Sequence, residues 1–229
     1  MMMQLGQNIG YETKYVVAHK SQDDFTAKQK EAWDMVREAI DQGIPCYGFE
    51  LEAPEFYVLN GYDDVGYYYS GPVTKPGNGP IPWQKLGDTN IGILEVKSVR
   101  PGKVADDSRT VKEALEFALE HSRGPEKWIL PNYRAGLAGY DTWIETLEEG
   151  IADGMGMSYN SMVWAECRGF GERFLREANR RLNAEAGALL REAADKYSEV
   201  YEHLVKVVEL FPFPPGNEIN DKKRCEKGV

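Results

Sequence analysis

After residue 105 the chain has no strand-like run, while before it short β-branched and aromatic runs follow one another closely. That segregation limits the fold. Strands separated by a few residues pair as antiparallel neighbours, because a parallel pair needs a crossover of about a dozen residues or more. Strands gathered first and helices after give an α+β order rather than an alternating one. The sequence therefore predicts an antiparallel sheet packed on helices over residues 1–105, followed by a C-terminal helical portion over 106–229 packed on that sheet.

The first predicted strand covers residues 15–19. Ala32, Trp33, Val36, Ala39 and Ile40 then recur at helical spacing ahead of Gly43. This predicts a helix over roughly 24–42 whose narrow apolar stripe sits on the outside of a sheet. Strands are expected at 44–51, 55–62 and 65–70, broken by Pro54 and by a turn at Asp63 and Asp64. Residues 71–90 hold four prolines and four glycines and are expected to form a long irregular loop. "IGILEVKSV", residues 91–99, is the last strand and apolar enough to be largely buried.

Four helices are expected beyond it. The first starts at an N-cap on Asp107 or Ser108, turns Val111, Leu115, Ala118 and Leu119 inward, and stops at Gly124. The second carries Leu137, Tyr140, Trp143, Ile144 and Leu147 ahead of Gly150. Two longer ones, at about 159–182 and 184–210, are joined by a short polar connection and so form an antiparallel pair. Their stripes include Phe170, Phe174 and Leu175 in one and Leu189, Leu190, Tyr197 and Leu204 in the other. "GMGMSYN", residues 154–160, reads as an entry loop with Ser158 as the cap.

A formal charge of −10, from 37 acidic and 27 basic residues, argues against nucleic-acid binding and against a polybasic membrane-surface role. No apolar run approaches a membrane span, and the first residues lack the segments of a secretory signal. Cys46, Cys167 and Cys225 are too few and too far apart for a disulfide framework or a zinc motif. A cytoplasmic protein with reduced thiols and no metal or cofactor is expected. Small-molecule or peptide ligands are the expected partners, together with homo-oligomers through the C-terminal helices.

Residues 48–72, "GFELEAPEFYVLNGYDDVGYYYSGP", carry three glutamates and five tyrosines. Side chains alternate across a strand, so Tyr47, Phe49 and Leu51 share one face, and Phe56 and Val58 share one face of the next strand. These aromatic-aliphatic faces are expected to merge into the core. Glu50, Glu52 and Glu55 then gather on the opposite face, near the hydroxyls of Tyr57 and Tyr62. Such a cluster sits in water, pairs with basic residues, or holds a metal or shared proton. Water is the default for surface carboxylates, a cleft wall is the sharper alternative, and a metal has no accompanying histidine to recommend it. The ligand-binding candidates are Glu50, Glu52, Glu55, Tyr57, Asn60, Tyr62 and Trp83, with Glu55, Tyr57 and Tyr62 as catalytic candidates.

Other chemistry-bearing residues read as structural. His19 ends a strand, His121 sits in a helix's last turn, and His203 lies in the last helix, none with a partner nearby in sequence. Cys167, in "WAECRGF", reads as a small buried hydrophobe. No glycine-rich phosphate motif follows a strand, which argues against a nucleotide enzyme.

"GIPCYGFELEAPEFYVLNGYDDVGYYYSGP" resembles the papain-like group that includes bacteriocin-processing cysteine peptidases, and within it the N-terminal domain of the butirosin biosynthesis protein H family. "YRAGLAGYDTWIETLE" and "YNSMVWAECRGFGERFLREANRRL" are similar to the helical region of such proteins. The resemblance spans roughly residues 10–212. It implies a half-barrel-like antiparallel sheet on helices and, in active members, a Cys–His pair whose cysteine starts a helix before the sheet. This chain departs at both positions. No cysteine precedes Cys46, which falls on a strand, and the histidine's place is taken by Glu55 or Phe56. The orienting residue's place holds Ser70 or Gly71.

The departures leave two expectations. One is a cysteine-peptidase-like domain without its catalytic pair, serving as a binding or scaffold protein. The alternative is an acyltransferase or amide hydrolase of a biosynthetic pathway, using Glu55 as base with Tyr57 or Tyr62, or completed by an N-terminal segment absent from a truncated gene product.

Overall fold

The computed structural model describes residues 5–72, 74–75, 77–129, 132–182 and 187–214, and Cys225 lies outside them. The chain divides into two compact units, Met1–Ala105 and Asp106–Val229. Among the described residues the first holds six antiparallel strands and one long helix. These are β1 (Ile9–His19), α1 (Phe25–Asp41), β2 (Cys46–Phe49), β3 (Phe56–Tyr62), β4 (Gly66–Ser70), β5 (Asn78–Pro82) and β6 (Ile93–Val104). The sheet order is β1-β6-β2-β3-β4-β5, so the last strand inserts between the first two.

One face of the sheet lies under α1. Ala32, Trp33, Val36 and Ala39 of the helix are buried together with Val16, Ala18, Cys46, Tyr57, Leu59, Tyr67, Tyr69, Leu94 and Val96 of the strands. This reverses the expected sidedness. The strand face carrying Cys46 and Gly48, and the next carrying Tyr57 and Leu59, are the interior. Tyr47, Phe49, Phe56 and Val58 lie on the opposite, open face, where Val58 is 51% exposed. The physical reason is what fills that face: Leu51 folds back from the 50–55 connection to cover Gly48 beside Leu59, and both join the core that contains Ala18, Cys46 and the apolar side of α1.

Several boundaries also move. β2 stops at Phe49, so Glu50 and Glu52 belong to an irregular connection over 50–55 rather than to a strand. β1 starts at Ile9 and β6 runs to Val104, both longer than their apolar cores suggest. The expected loop over 71–90 instead contains β5 and a 3-10 turn, Trp83–Lys85. Two contacts order it. The buried Gln29 amide of α1 donates to the carbonyls of Gln84 and Leu86, and Trp83 stacks on Trp33 with ring centroids 6.2 Å apart. The Asp63 turn forms as expected, with its carboxylate accepting from Val65 and Gly66 N–H at 2.7 and 3.0 Å.

The second unit contains α2 (Asp107–Arg123), α3 (Leu137–Glu148), α4 (Gly154–Leu182) and α5 (Gly187–Leu210). The cap of α2 is Asp106, whose carboxylate accepts from Arg109 N–H at 2.9 Å, rather than Asp107 or Ser108. α4 begins at Gly154, so 154–160 is helix, and Ser158 donates to the Pro212 carbonyl at 2.6 Å instead of capping. α4 and α5 run antiparallel, with Arg176 reaching Asp195 at 3.1 Å and Asn179 accepting from Arg191 at 3.3 Å. Their seam sets small residues against rings, beside the buried Leu175 and Leu190. Cβ atoms built on Gly169 and Gly171 would meet the Tyr201 and Tyr197 rings at 3.2 and 2.6 Å. With the seam on that side, Phe170, Phe174 and Leu189 turn outward, as do Leu119 of α2 and Leu137 at the start of α3. Cys167 is exposed rather than buried. Among the described residues no helix is long and apolar enough to cross a membrane.

The closest approach in the sheet gives a stability test. A Cβ on Gly66 would stand 1.7 Å from the Ile81 carbonyl oxygen, in the backbone of the paired strand β5. Gly66→Ala is expected to cost about 2 kcal/mol or more, in the range of overpacked cores, and to loosen β5 first. Chemical denaturation gives the cost, and unchanged amide protection in β5 would contradict it.

Candidate functional site

The sequence singled out the β2–β3 connection, and the structure shows what its carboxylates do. Glu50 has φ +58, a left-handed backbone that costs a non-glycine residue about 1–2 kcal/mol. The connection closes by Glu50 N–H donating to Glu55 O at 2.9 Å. The Glu50 carboxylate accepts from the Thr89 hydroxyl at 2.6 Å, and Thr89 in turn accepts from Gly92 N–H. Glu52 points elsewhere. Its carboxylate accepts from the Tyr69 hydroxyl at 2.6 Å and from the Asn78 amide, tying β4 and β5 to the connection. Glu55 is exposed, with its backbone engaged in the turn. The three glutamates therefore do not converge. Among the described residues no three His, Cys, Asp or Glu side chains gather closely enough to hold a metal.

The remaining candidates also make contacts within the sheet unit. Tyr57 is fully buried, its hydroxyl accepting from Ala53 N–H at 2.9 Å, and Gly71 stands where a Cβ would enter its ring. Asn60 donates to the Ser70 hydroxyl at 2.6 Å, and Tyr62 donates to Asp41 at 2.6 Å while Arg37 lies over its ring. Trp83 packs on Trp33.

Burial decides the acid–base character of these groups. Desolvation first, and then the bond to Glu52, push the Tyr69 hydroxyl up to about 12. Desolvation pushes the Cys46 thiol up to about 11, so at neutral pH it is a protonated thiol bonded weakly to the Ile44 carbonyl at 3.7 Å. Of the histidines, His19 bonds to Ser21 at 2.8 Å and His121 packs edge-on to Phe117.

The open face of the sheet forms a further surface. Glu95 and Lys97, two apart on β6, share that face and form an ion pair, with only 11% of the Lys97 side chain exposed. The ammonium lies 5.5 and 5.4 Å from the ring centres of Tyr47 and Phe56. Tyr47 shares a hydrogen bond of 2.8 Å with Tyr11, and burial foremost raises the Tyr47 hydroxyl far above its ordinary value. Around this centre stand Tyr15, Val17, Phe49, Phe56 and Val58, with Tyr15 60% and Phe56 43% exposed. The sequence signal was present in "ILEVKSV": Leu94, Val96 and Ser98 alternate with Glu95, Lys97 and Val99, so only one face of β6 is uniformly apolar or small.

No family model, curated protein or solved structure matches this chain.

Two measurements check these assignments. In a Cys225→Ser background at pH 8, Cys167 should react with a thiol reagent in the folded protein and Cys46 only after unfolding. Rapid reaction of Cys46 would contradict its burial. The second concerns alkaline stability. Tyr69 has a folded value near 12 against an ordinary 10, so the folded state keeps its proton longer than the unfolded chain. The associated stabilisation is complete below about pH 10 and is lost as pH rises towards 12. Tyr69→Phe should flatten that part of the stability profile, and an unchanged profile would contradict the assignment.

Proposed function

We propose that this chain is a non-catalytic protein-binding module. The observation that carries the proposal is the open face of the sheet, where aromatic and aliphatic side chains surround a lysine held by two rings and a carboxylate. One face of an antiparallel sheet is ordinarily polar when it meets water. A contiguous apolar face rimmed by polar groups is instead the signature of an interaction surface, and aromatic residues are enriched in such contacts. The face is broad, which suits a protein partner better than a small molecule. The surplus of acidic residues disfavours nucleic acid as the partner.

The non-catalytic part of the reading rests on the candidates themselves. A cysteine-peptidase-like scaffold needs a thiolate beside a proton acceptor, and the Cys46 thiol is buried with its proton held firmly. Glu50, Glu52, Tyr57 and Tyr62 are each committed to bonds that hold loops or strand ends. The butirosin protein H-like resemblance is thus taken as that of a domain without the reactive pair.

Three results test the proposal. Val17→Lys with Val58→Lys should shift the melting midpoint by only a few degrees, because side chains already in water lose little. Were both interior, the cost would be about 3–6 kcal/mol, a shift of roughly ten degrees or more, and the surface reading would fail. A photocrosslinking residue at position 58 should give a discrete protein adduct in the cells that make the chain, lost in the Val17→Lys variant. Turnover of peptide or acyl-thioester substrates that disappears with Glu55→Gln, or with serine at all three cysteines, would restore an enzyme.

A further inference from the structure

We infer that the groove between β1 and α1 accepts an extended segment of another protein as an added strand, with basic and apolar side chains alternating along it. The inference rests on the protein-binding reading and names the docking element and the chemistry of its partner.

β1 is eleven residues long and stands at the end of the sheet order. Beyond its last rung Lys20 N–H donates to Gly92 O at 2.8 Å, and on the other side of β6 Val99 N–H donates to Pro45 O at 2.9 Å. Amide direction alternates along a strand, so the even-numbered residues of β1 bond to β6. Thr13, Tyr15 and Val17 therefore turn their N–H and C=O groups away from the sheet. Such a row is a template for another strand. The irregularity at Gly10, with φ +75, blunts the beginning of this edge, but residues 13–17 contain neither proline nor bulge.

Beside the row runs a groove of about 490 Å³, lined by residues 13–16 of the strand and by Glu31, Asp34, Met35 and Glu38 of α1. Three carboxylates and one ammonium, that of Lys14, face it. Glu31 pairs with Lys28 at 2.7 Å, Asp34 with Lys30, and Glu38 with Lys14 at 3.8 Å, all well exposed. Exposed pairs of this kind are weak and exchange readily with an incoming cation. A strand added to β1 places alternate side chains on opposite faces. With the added strand antiparallel, as every pair in this sheet is, residues bonded to Thr13, Tyr15 and Val17 put theirs on the open face beside Tyr15 and Val17, where apolar groups fit. The intervening residues point into the groove beneath the carboxylates, where lysine or arginine fits. The net charge of −10 favours a cationic segment over a second copy of the chain.

The test uses the full chain and a labelled, capped octapeptide of alternating valine and lysine, with anisotropy for affinity and amide exchange for location. Saturable binding is expected, with slowed exchange at Thr13, Tyr15 and Val17. N-methylating the valine amides should weaken binding tenfold or more, because those amides face β1, whereas N-methylating the lysine amides should be tolerated. Asp34→Lys with Glu38→Lys should also weaken binding tenfold or more. Tyr15→Pro, which removes an outward donor, should do the same if it keeps its melting midpoint; if it does not fold, the methylated peptides decide. No saturable binding, equal binding of both methylated peptides, of a glutamate–valine peptide or of a lysine block followed by a valine block, or protection elsewhere, would each overturn the inference. So would a concentration-dependent dimer of the chain alone that Tyr15→Pro dissociates. A crosslinked adduct at position 58 without peptide binding would remove only this groove assignment and leave the broader reading standing.

Discussion

Trp33 is the contact on which the sheet unit depends. Its indole meets Tyr67 edge-on at 5.0 Å and Tyr62 at 5.8 Å, stacks on Trp83 at 6.2 Å, and lies beneath the Arg37 guanidinium at 5.4 Å. One side chain thereby joins α1 to β3, to β4 and to the turn after β5. Aromatic pairs in these geometries add about 0.5–1.5 kcal/mol each beyond the area they bury. The cost of building the core around rings is visible at Tyr67, whose buried hydroxyl has no hydrogen-bond partner among the described residues. Leaving such a group unpaired costs about 1–3 kcal/mol. Burial, the larger influence, and nearby Asp34 keep that hydroxyl protonated well above its ordinary range.

The sequence made the elements legible and hid their sidedness. The period of α1, the Asp63 turn and the switch to helices after residue 105 rest on local rules, and each is found in the structure. Which face of β2 and β3 lies inside is not local. Both faces carry apolar residues, and the choice follows from what packs over them, with Leu51 and Leu59 covering Gly48 and joining the core that contains Cys46 and α1, a tertiary matter. The same kind of cause defeats the expectation of a structureless stretch over 71–90. Its prolines and glycines are compatible with β5 because Gly66 lets the partner strand's backbone come close, and Gln29, distant in sequence, bonds to the carbonyls of Gln84 and Leu86. Among the helices, the outward Phe170 and the inward Gly169 invert hydrophobic expectation, since helix separation is set by where tyrosine rings can nest.

The carboxylates stand out in the sequence, but which of them lie together depends on a cause of the same kind. Alternation along an extended strand would have aligned Glu50 and Glu52, but the strand ends at Phe49 and a left-handed residue redirects the chain. Each carboxylate then meets a different hydroxyl, Thr89 for one and Tyr69 for the other. A carboxylate that accepts from a hydroxyl on another element serves as a clamp. Here one clamp ties the connection to Thr89, ahead of β6, and the other ties it to β4 and β5 through Tyr69 and Asn78.

A rigid interior matters for a binding surface because affinity is lost when side chains and loops must be ordered on contact. On the open face much of that ordering is built into the fold. The Tyr11–Tyr47 hydrogen bond fixes one ring, and Phe49 and Phe56 pack at 5.3 Å. The Lys97 ammonium is held between Tyr47 and Phe56 by Glu95. Removing Glu95 would leave a mostly buried ammonium facing two rings without its counter-ion, a more costly change than losing an exposed pair. The ion pair therefore keeps the aromatic groups in one arrangement while leaving their outer edges free.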